Sequence, residues 1–332
     1  MKITKPSYFD TFRCIASACP DSCCKEWDVQ VDETAAAYYR GLPGSLGDRL
    51  REVLYDEDDN TYMANVDGRC PMWRTDGLCR IQAELGEAAL CKTCREFPRL
   101  THDYGDFVEL GLELSCPEAA RLILSAGPDT PFVQEISGGE EPEYDMDAMA
   151  VLKETRKTML SILSDTERPV GQVLILGLLY GYQAQAELDS GEVQSFDQES
   201  ALEEAKSLAK PGNSQDFLDF FSELEILTPA WKDRLHSPSY GDWDKGTLAL
   251  ARYFVERYWL QAVSDYDLYC RVKFIMVSCL LIRILGGDLL TTAQLYSKEI
   301  ENNTDNVEAL LDAAYAHPAF TDDKLLGLLL NV

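Results

Sequence analysis

Cysteine is concentrated in one part of this 332-residue chain, and this constrains the fold more than any other feature. Nine of the 11 cysteines lie within the first 116 residues. They are Cys14, Cys19, Cys23, Cys24, Cys70, Cys79, Cys91, Cys94 and Cys116. Packing alone does not concentrate thiols in this way, whereas a metal ion or cluster held by thiolates does. The sequence therefore predicts an N-terminal third built around a thiolate-bound centre.

The compartment expected for the chain favours metal binding over disulfides. The first residues, MKITKPSYFDTF, lack the apolar stretch of a secretory signal, and the longest apolar runs are too short to span a bilayer. We therefore expect a cytoplasmic protein that is not embedded in a membrane. Because that compartment is reducing, its cysteines are expected to stay free for metal or cluster ligation.

The charge of the chain narrows the classes of partner. The formal net charge is −27 at pH 7. A surface this acidic repels nucleic acid and anionic lipid, so neither is an expected partner. It is compatible with a cationic protein partner, although acidic surfaces generally serve solubility.

The periodicity of apolar residues predicts an α+β protein that is predominantly α-helical. Residues 1–126 mix short strands, turns and short helices, and the clearest strand is 108–114, where apolar residues alternate with Glu and Gly. Residues 127–147 are rich in Pro, Gly and acidic residues and are interpreted as a linker. Residues 148–332 show helical periodicity almost throughout. We expect a cysteine-rich metal-binding part, an acidic linker and an all-helical domain, in that order.

The cysteine spacing leaves the kind of centre open. Cys91-x2-Cys94 has the spacing that lets two thiolates face one metal, but zinc ribbons generally carry two such pairs. Cys19-x3-Cys23 begins like the loop of radical S-adenosylmethionine enzymes, yet Glu26 stands where the third cysteine would be. Zinc and an iron–sulfur cluster both use thiolate ligands, so both remain open. These two closely spaced cysteine pairs provide the first-choice ligands.

Few other residues carry a chemical signal. Cys270 and Cys279 lie in apolar helical segments and are expected in the core. His102, His236 and His317 are dispersed along the chain and have no metal-site spacing. Patterns typical of phosphate-binding loops, serine hydrolases, zinc proteases and dinucleotide-binding folds are absent from the sequence. The residues alone thus indicate a cysteine-ligated metal module fused to a helical domain, with catalytic and cofactor-binding residues unassigned.

Several segments together carry a family resemblance. The N-terminal ones read FRCIASACPDSCCKEWDVQVD (12–32), CPMWRTDGLCRIQAELGE (70–87), CKTCREFPR (91–99) and LELSCPEAAR (112–121). The C-terminal run RYFVERYWLQAVSDYDL (252–268), followed by RVKF, shares the pattern. This series closely resembles the bacterial flagellin lysine-N-methylase family. It also resembles a broader group of cysteine-rich proteins regarded as zinc- or iron-chelating. The resemblance spans most of the chain.

The resemblance implies an enzyme that transfers methyl groups from S-adenosylmethionine to lysine side chains of flagellin. It also implies a 4Fe–4S cluster held by the N-terminal cysteines, with zinc as the alternative, but it does not specify which four cysteines bind. Two other classes of function stay open. One is a zinc- or cluster-stabilised protein-interaction module without catalysis, and the other is a redox protein.

Aromatic residues near the cysteine motifs and in the run 252–268 have two interpretations. Tyr8 and Trp27 flank the first cysteines and could form aromatic walls around a cationic nitrogen, although packing over the metal centre is the simpler role. A second aromatic group lies at helical spacing and is expected in the core. It comprises Tyr253, Phe254, Tyr258 and Trp259.

Overall fold

The computed structural model describes residues 2–25, 28–127, 132–136, 141–192 and 194–331. Within these ranges the chain is α+β and predominantly α-helical, which confirms the predicted fold class. The strands are β1 (Lys2–Pro6), β2 (Val29–Val31), β3 (Leu54–Glu57), β4 (Asn60–Met63), β5 (Arg99–Asp103), β6 (Phe107–Leu112) and β7 (Phe132–Ile136).

The helices come in two groups, short ones before residue 126 and longer ones after residue 145. The first group is α1 (Glu33–Gly41), α2 (Gly44–Val53), α3 (Arg80–Leu85), α4 (Lys92–Glu96) and α5 (Pro117–Ser125). The second group is α6 (Met146–Ile162), α7 (Val170–Ser190), α8 (Gln198–Leu208), α9 (Ser214–Glu223), α10 (Pro229–His236), α11 (Gly246–Tyr258), α12 (Leu268–Leu285), α13 (Leu289–Tyr296), α14 (Thr304–Ala316) and α15 (Asp322–Asn331). One π-helical turn, Ser297–Glu301, follows α13.

The larger sheet has the strand order β5-β6-β1-β7. Strand β1 runs parallel to β6, with Ile3 opposite Val108, and antiparallel to β7. The predicted strand at 108–114 is present as β6. Its Glu109 is buried, because Arg156 of α6 covers it. Val108 and Glu109, which point to opposite faces of β6, are therefore both buried.

The smaller sheet has the order β2-β4-β3 and packs with α1 and α2 around a second hydrophobic core. Val29 and Val31 of β2 point inward and Gln30 between them is exposed, as the period of two predicts. Tyr39 and Leu50 are fully buried in this core. This small unit carries the walls of the candidate site described below.

Helices α7 and α12 form the centre of the helical part. Every residue of α12 except Arg283 is buried, including Cys270 and Cys279 as expected. Gly181 of α7 faces Val272 so closely that a Cβ there would overlap its side chain. Most of α12 is apolar, and its buried Arg271 and Lys273 are paired with Asp265 and Asp322, so the helix can lie inside the protein. Among the described residues, no helix has the length and apolarity needed to cross a bilayer.

The two hydrophobic cores divide the chain differently from the expected boundary near residue 126. The buried residues of the small core come from 29–91, and Cys24 and Cys94 pack against them. By contrast, Leu112 of β6, Leu114 of the following turn and Ile123 of α5 belong to the large core of the helical part. Part of the expected linker 127–147 is strand β7, which extends the larger sheet. Residues 128–131 and 137–140 of that linker lie outside the described residues.

Candidate metal centre and the buried charges beside it

Six of the nine N-terminal cysteines line one cavity, called here the cysteine cavity. They are Cys23, Cys24, Cys70, Cys79, Cys91 and Cys94. The cavity has a volume of about 20 Å³, and Tyr39, Met63 and Met72 are among its apolar lining residues. Tertiary folding therefore gathers thiols from four separate stretches of the sequence into one small apolar space.

Local backbone structure sets the positions of these thiols. The amide of Cys70 donates a hydrogen bond to the carbonyl of Cys24 at 2.8 Å, which holds two distant loops side by side. Cys79 and Cys91 occupy the N-cap positions of α3 and α4. Cys94 lies within α4, three residues after Cys91 and thus on the same side of the helix. Helix N-termini carry partial positive charge, which favours thiolates there.

The thiols of the cysteine cavity hydrogen-bond to one another. Cys24 interacts with both Cys23 and Cys70, and the Cys70 thiol donates to the sulfur of Met63 at 3.4 Å. Cys94 donates to Cys91, and this bond lowers the pKa of Cys91 to about 7. The same bond, together with burial, raises the pKa of Cys94, because the donor must keep its proton. One member of that pair is therefore readily available as a thiolate near neutral pH.

The donor set fits a thiolate-bound centre, but the thiols are not arranged around one point. Among the described residues, no group of three or more Cys, His, Asp or Glu side chains has the arrangement of a metal-ion site. The thiols pair with each other instead. Soft sulfur ligands in excess of four are nevertheless the donors that zinc and iron–sulfur centres use, and they bind after losing their protons. Ligation would thus require the thiols to deprotonate and reorient within the cavity.

The other three N-terminal cysteines lie outside the cysteine cavity. Cys14 is exposed, and Cys19 and Cys116 are half-buried. They neighbour one another: burial is the main cause that raises the pKa of Cys116 to about 11, and Cys19 and Cys14 add to it. Of the four first-choice ligands, Cys19 is the one that the cavity does not include.

Asp21 connects the N-terminal cysteine loop to the helical part. Its carboxylate accepts hydrogen bonds from Lys25 and Gln294, both at 2.9 Å, and pairs with Lys298. Gln294 also donates to the carbonyl of Ser115 at 2.9 Å. Burial alone would raise the pKa of Asp21, but the bonds from Lys25 and Lys298 outweigh it and lower that pKa. Asp21, Gln294 and Lys298 are called the Asp21 clamp below.

A cluster of buried charges, which the sequence did not lead us to expect, lies between the larger sheet and the helical part. Its ion pairs are Glu109–Arg156 at 2.6 Å, Arg252–Glu256 at 2.7 Å and Arg257–Glu301 at 3.1 Å. No side chain in these pairs is more than 12% exposed. Charged groups at such depth require partners, since a lone buried charge is very costly. The sequence signal that could have revealed these buried charges is the presence of charged residues inside apolar runs, such as the Glu-Arg within RYFVERYW.

The aromatic residues of α11 are buried as expected, and some also contact this charged cluster. Tyr253, Phe254, Tyr258 and Trp259 are each at most 8% exposed. The hydroxyls of Tyr253 and Tyr258 donate to Glu301 at 3.1 and 2.9 Å. These two tyrosines therefore pack in the core and satisfy a buried carboxylate at the same time.

A second, smaller cavity adjoins the charged cluster. Tyr8, Arg252, Tyr253 and Glu256 are among its lining residues, and its volume is about 10 Å³. Burial raises the pKa of Glu256 to about 7, although Arg252 opposes the shift. Tyr8 thus lies against the helical part instead of over the cysteine cavity. Trp27, the other aromatic candidate, lies outside the described residues.

Comparison with known proteins identifies relatives of this chain. It is 34% identical over 143 residues to the Lysine-N-methylase of Salmonella typhimurium and, at the same level, to that of Salmonella choleraesuis. It is 35% identical over 133 residues to the Flagellar biosynthetic protein FliU of Salmonella muenchen, of which it covers 77%. The matches involve 37–40% of this chain. The chain spans 35% of the length of the two Lysine-N-methylase relatives.

Two other comparisons gave no match. No family model matches the chain. No solved structure matches it either.

Proposed function

Because the chain belongs to the flagellin lysine-N-methylase family, we propose that it transfers methyl groups from S-adenosylmethionine to lysine side chains of flagellin. The structural observation that best supports this proposal is the gathering of six thiols in the cysteine cavity. Six thiols are more than packing of the N-terminal part requires. They are the kind of donors that the metal centre implied by the family resemblance would need.

The reaction is a displacement that needs no oxidant or reductant. The lysine ε-nitrogen, after losing a proton, attacks the methyl carbon of the sulfonium. The new N–C bond forms while the C–S bond breaks. The electron pair of the broken C–S bond stays on sulfur, which leaves as a neutral thioether. The protein must align nitrogen, carbon and sulfur and accept the proton of the ammonium group.

We assign proton acceptance to Glu256. A useful general base has a pKa near the working pH, and burial brings that of Glu256 to about 7. Glu256 lines a small cavity together with Tyr8 and Tyr253. Aromatic faces favour a cationic nitrogen. Arg252, bonded to Glu256 at 2.7 Å, holds the carboxylate in place.

We propose that four of the six thiols in the cysteine cavity hold a 4Fe–4S cluster, with zinc as the alternative. Cys91 and Cys94 are the most favoured ligands, because they share one helix turn and one of them titrates near neutral pH. When bound, such a centre would cross-link the loops that carry the cysteines and fix the N-terminal part against the helices.

The test joins metal content to methyl transfer. Protein purified without oxygen is analysed for iron, sulfide and zinc, then incubated with S-adenosylmethionine and flagellin, and the flagellin is examined by mass spectrometry. The variant Cys91→Ser/Cys94→Ser should lose the metal and the activity together. Cys279→Ala, which removes a buried thiol outside the cavity, should keep both.

Two results would contradict the proposal. Metal-loaded protein that leaves flagellin lysines unmodified would favour the interaction-module alternative. Full activity in the metal-free double variant would restrict the centre to a dispensable structural part. A pH–rate profile of Glu256→Gln tests the base separately, because loss of the acidic limb near pH 7 is expected if Glu256 accepts the proton.

A further inference from the structure

Four tyrosines form a patch on the surface of the helical part, and none of them lines either cavity. This tyrosine patch comprises Tyr182 of α7, Tyr266 just before α12, Tyr269 in the first turn of α12, and Tyr315 of α14. Tyr182, Tyr266 and Tyr315 are 66%, 48% and 61% exposed. Exposed aromatic side chains in contact with one another are unusual outside interfaces, where Tyr is enriched.

The rings contact one another around Tyr269. The centroids of Tyr182 and Tyr269 are 5.5 Å apart with the rings at 87°, and Tyr315 lies 6.4 Å from Tyr269. Hydrogen bonds fix the edges of the patch. Tyr315 donates to Asp267 at 2.7 Å and Tyr266 donates to Asp145 at 3.1 Å. The aromatic surface is therefore largely organised before any partner arrives, which lowers the entropic cost of binding.

Of the charged groups beside the patch, the cationic ones are buried and the carboxylates are half-exposed. Arg271 and Lys273 lie beneath it, with side chains 8% and 6% exposed. They pair with Asp265 at 2.9 Å and Asp322 at 3.0 Å, and both carboxylates are 49% exposed. Cations thus lie on the inner side and carboxylates on the outer side. The surface that a partner would meet consists of tyrosine rings and negative charge.

We infer that the tyrosine patch docks the lysine-bearing surface of the protein substrate, an inference that rests on the proposed methyl transfer. Ammonium groups bind to tyrosine faces by cation–π attraction and to carboxylates by charge. The net charge of −27 adds long-range attraction for a cationic partner and excludes nucleic acid. Docking at this patch would hold the substrate by lysines other than the one that reacts.

The experiment measures binding apart from turnover. The dissociation constant for flagellin, and for a short polylysine as a simpler probe, is determined by calorimetry for the wild type and for Tyr182→Ala/Tyr315→Ala. Two lost cation–π contacts predict binding weakened about 5- to 30-fold. Both side chains are exposed, so the variant should fold, and circular dichroism checks this. Tyr38→Ala, an exposed tyrosine on α1, is the matched control and should bind normally.

Two further readouts identify the cause. Tyr182→Phe keeps the ring and should bind like the wild type, and binding should weaken as salt rises. In turnover assays KM should increase while kcat stays unchanged. Unchanged binding in the double alanine variant would overturn the docking inference even if methyl transfer is observed. Patch-dependent binding without methyl transfer would instead reject the proposed function and leave the docking surface standing.

Discussion

At the scale of single residues, Glu256 connects protonation to stability. Its pKa is raised from 4.5 to about 7 in the folded protein. The folded state thus retains this proton where the unfolded chain has lost it, so the contribution of Glu256 is greatest below pH 4.5 and is lost as pH rises towards 7. Glu256→Gln removes this dependence. We expect the variant to gain stability relative to the wild type between pH 5 and pH 8, by roughly 1–3 kcal/mol.

Denaturant melts of both proteins across that pH range measure the difference. Glu57→Gln is a suitable control, because Glu57 is an exposed carboxyl in β3, a strand of the smaller sheet that does not include Glu256. A constant difference between Glu256→Gln and the wild type at every pH would show that Glu256 titrates as an ordinary surface carboxyl.

Individual thiols should differ in their effect on metal binding. Cys14 and Cys116 lie outside the cysteine cavity, whereas Cys70 lies inside it and is buried. If the proposed centre lies in the cysteine cavity, we expect Cys14→Ser and Cys116→Ser to keep the full metal content and Cys70→Ser to reduce it, because Cys70 lines that cavity and the other two do not. Anaerobic metal analysis decides this. Equal losses in all three variants would show that the two cysteine groups act as one.

At the scale of elements, the packing of α7 on α12 depends on a glycine. A Cβ at Gly181 would overlap both methyl groups of Val272, which is itself fully buried in α12. Gly181→Ala should therefore destabilise the protein by about 1–3 kcal/mol, despite the higher helix propensity of alanine. Gly41→Ala in α1 is the control, since nothing lies within 4 Å of its position. Thermal unfolding should show a clear loss for the first variant and none for the second.

The Asp21 clamp is the element-level link between the cysteine loop and the helical part. Asp21→Asn weakens the pairing with Lys25 and Lys298 while keeping the side-chain size. We expect faster amide hydrogen exchange in residues 14–25 and around the π-helical turn, with little change in α7. Asp48→Asn, which removes an exposed pairing with Arg51, should leave those segments unaffected. Unchanged exchange in Asp21→Asn would show that the loop is held by other contacts.

At the scale of the whole molecule, two cores of unequal size predict unequal stability. The small core has 14 buried residues, all between Val29 and Cys91, whereas the much larger core extends across α5 to α15. Small cores rarely suffice without a staple such as a metal. Metal removal by a chelator should therefore open the small unit first. Hydrogen exchange should increase in β2, β3 and β4 while α7 and α12 stay protected, and a single concerted opening would contradict this.

The sequence alone determined the class of fold and the place of the strand at β6, and it predicted a thiolate-bound centre at the N-terminal cysteines. These features depend on the local periodicity and the chemistry of the residues, and both can be read from short stretches of the sequence. The same local reasoning identified the apolar segments of Cys270 and Cys279 as core and placed the α11 aromatics inside the protein.

Only the tertiary structure decided which residues meet. It separated Cys14, Cys19 and Cys116 from the six cavity thiols, joined β6 and α5 to the helical core, and turned part of the expected linker into β7. It also buried three ion pairs and assembled the tyrosine patch from helices far apart in sequence. Spacing along a chain cannot specify such contacts, because they depend on how separate elements pack and on partners that only folding brings within reach.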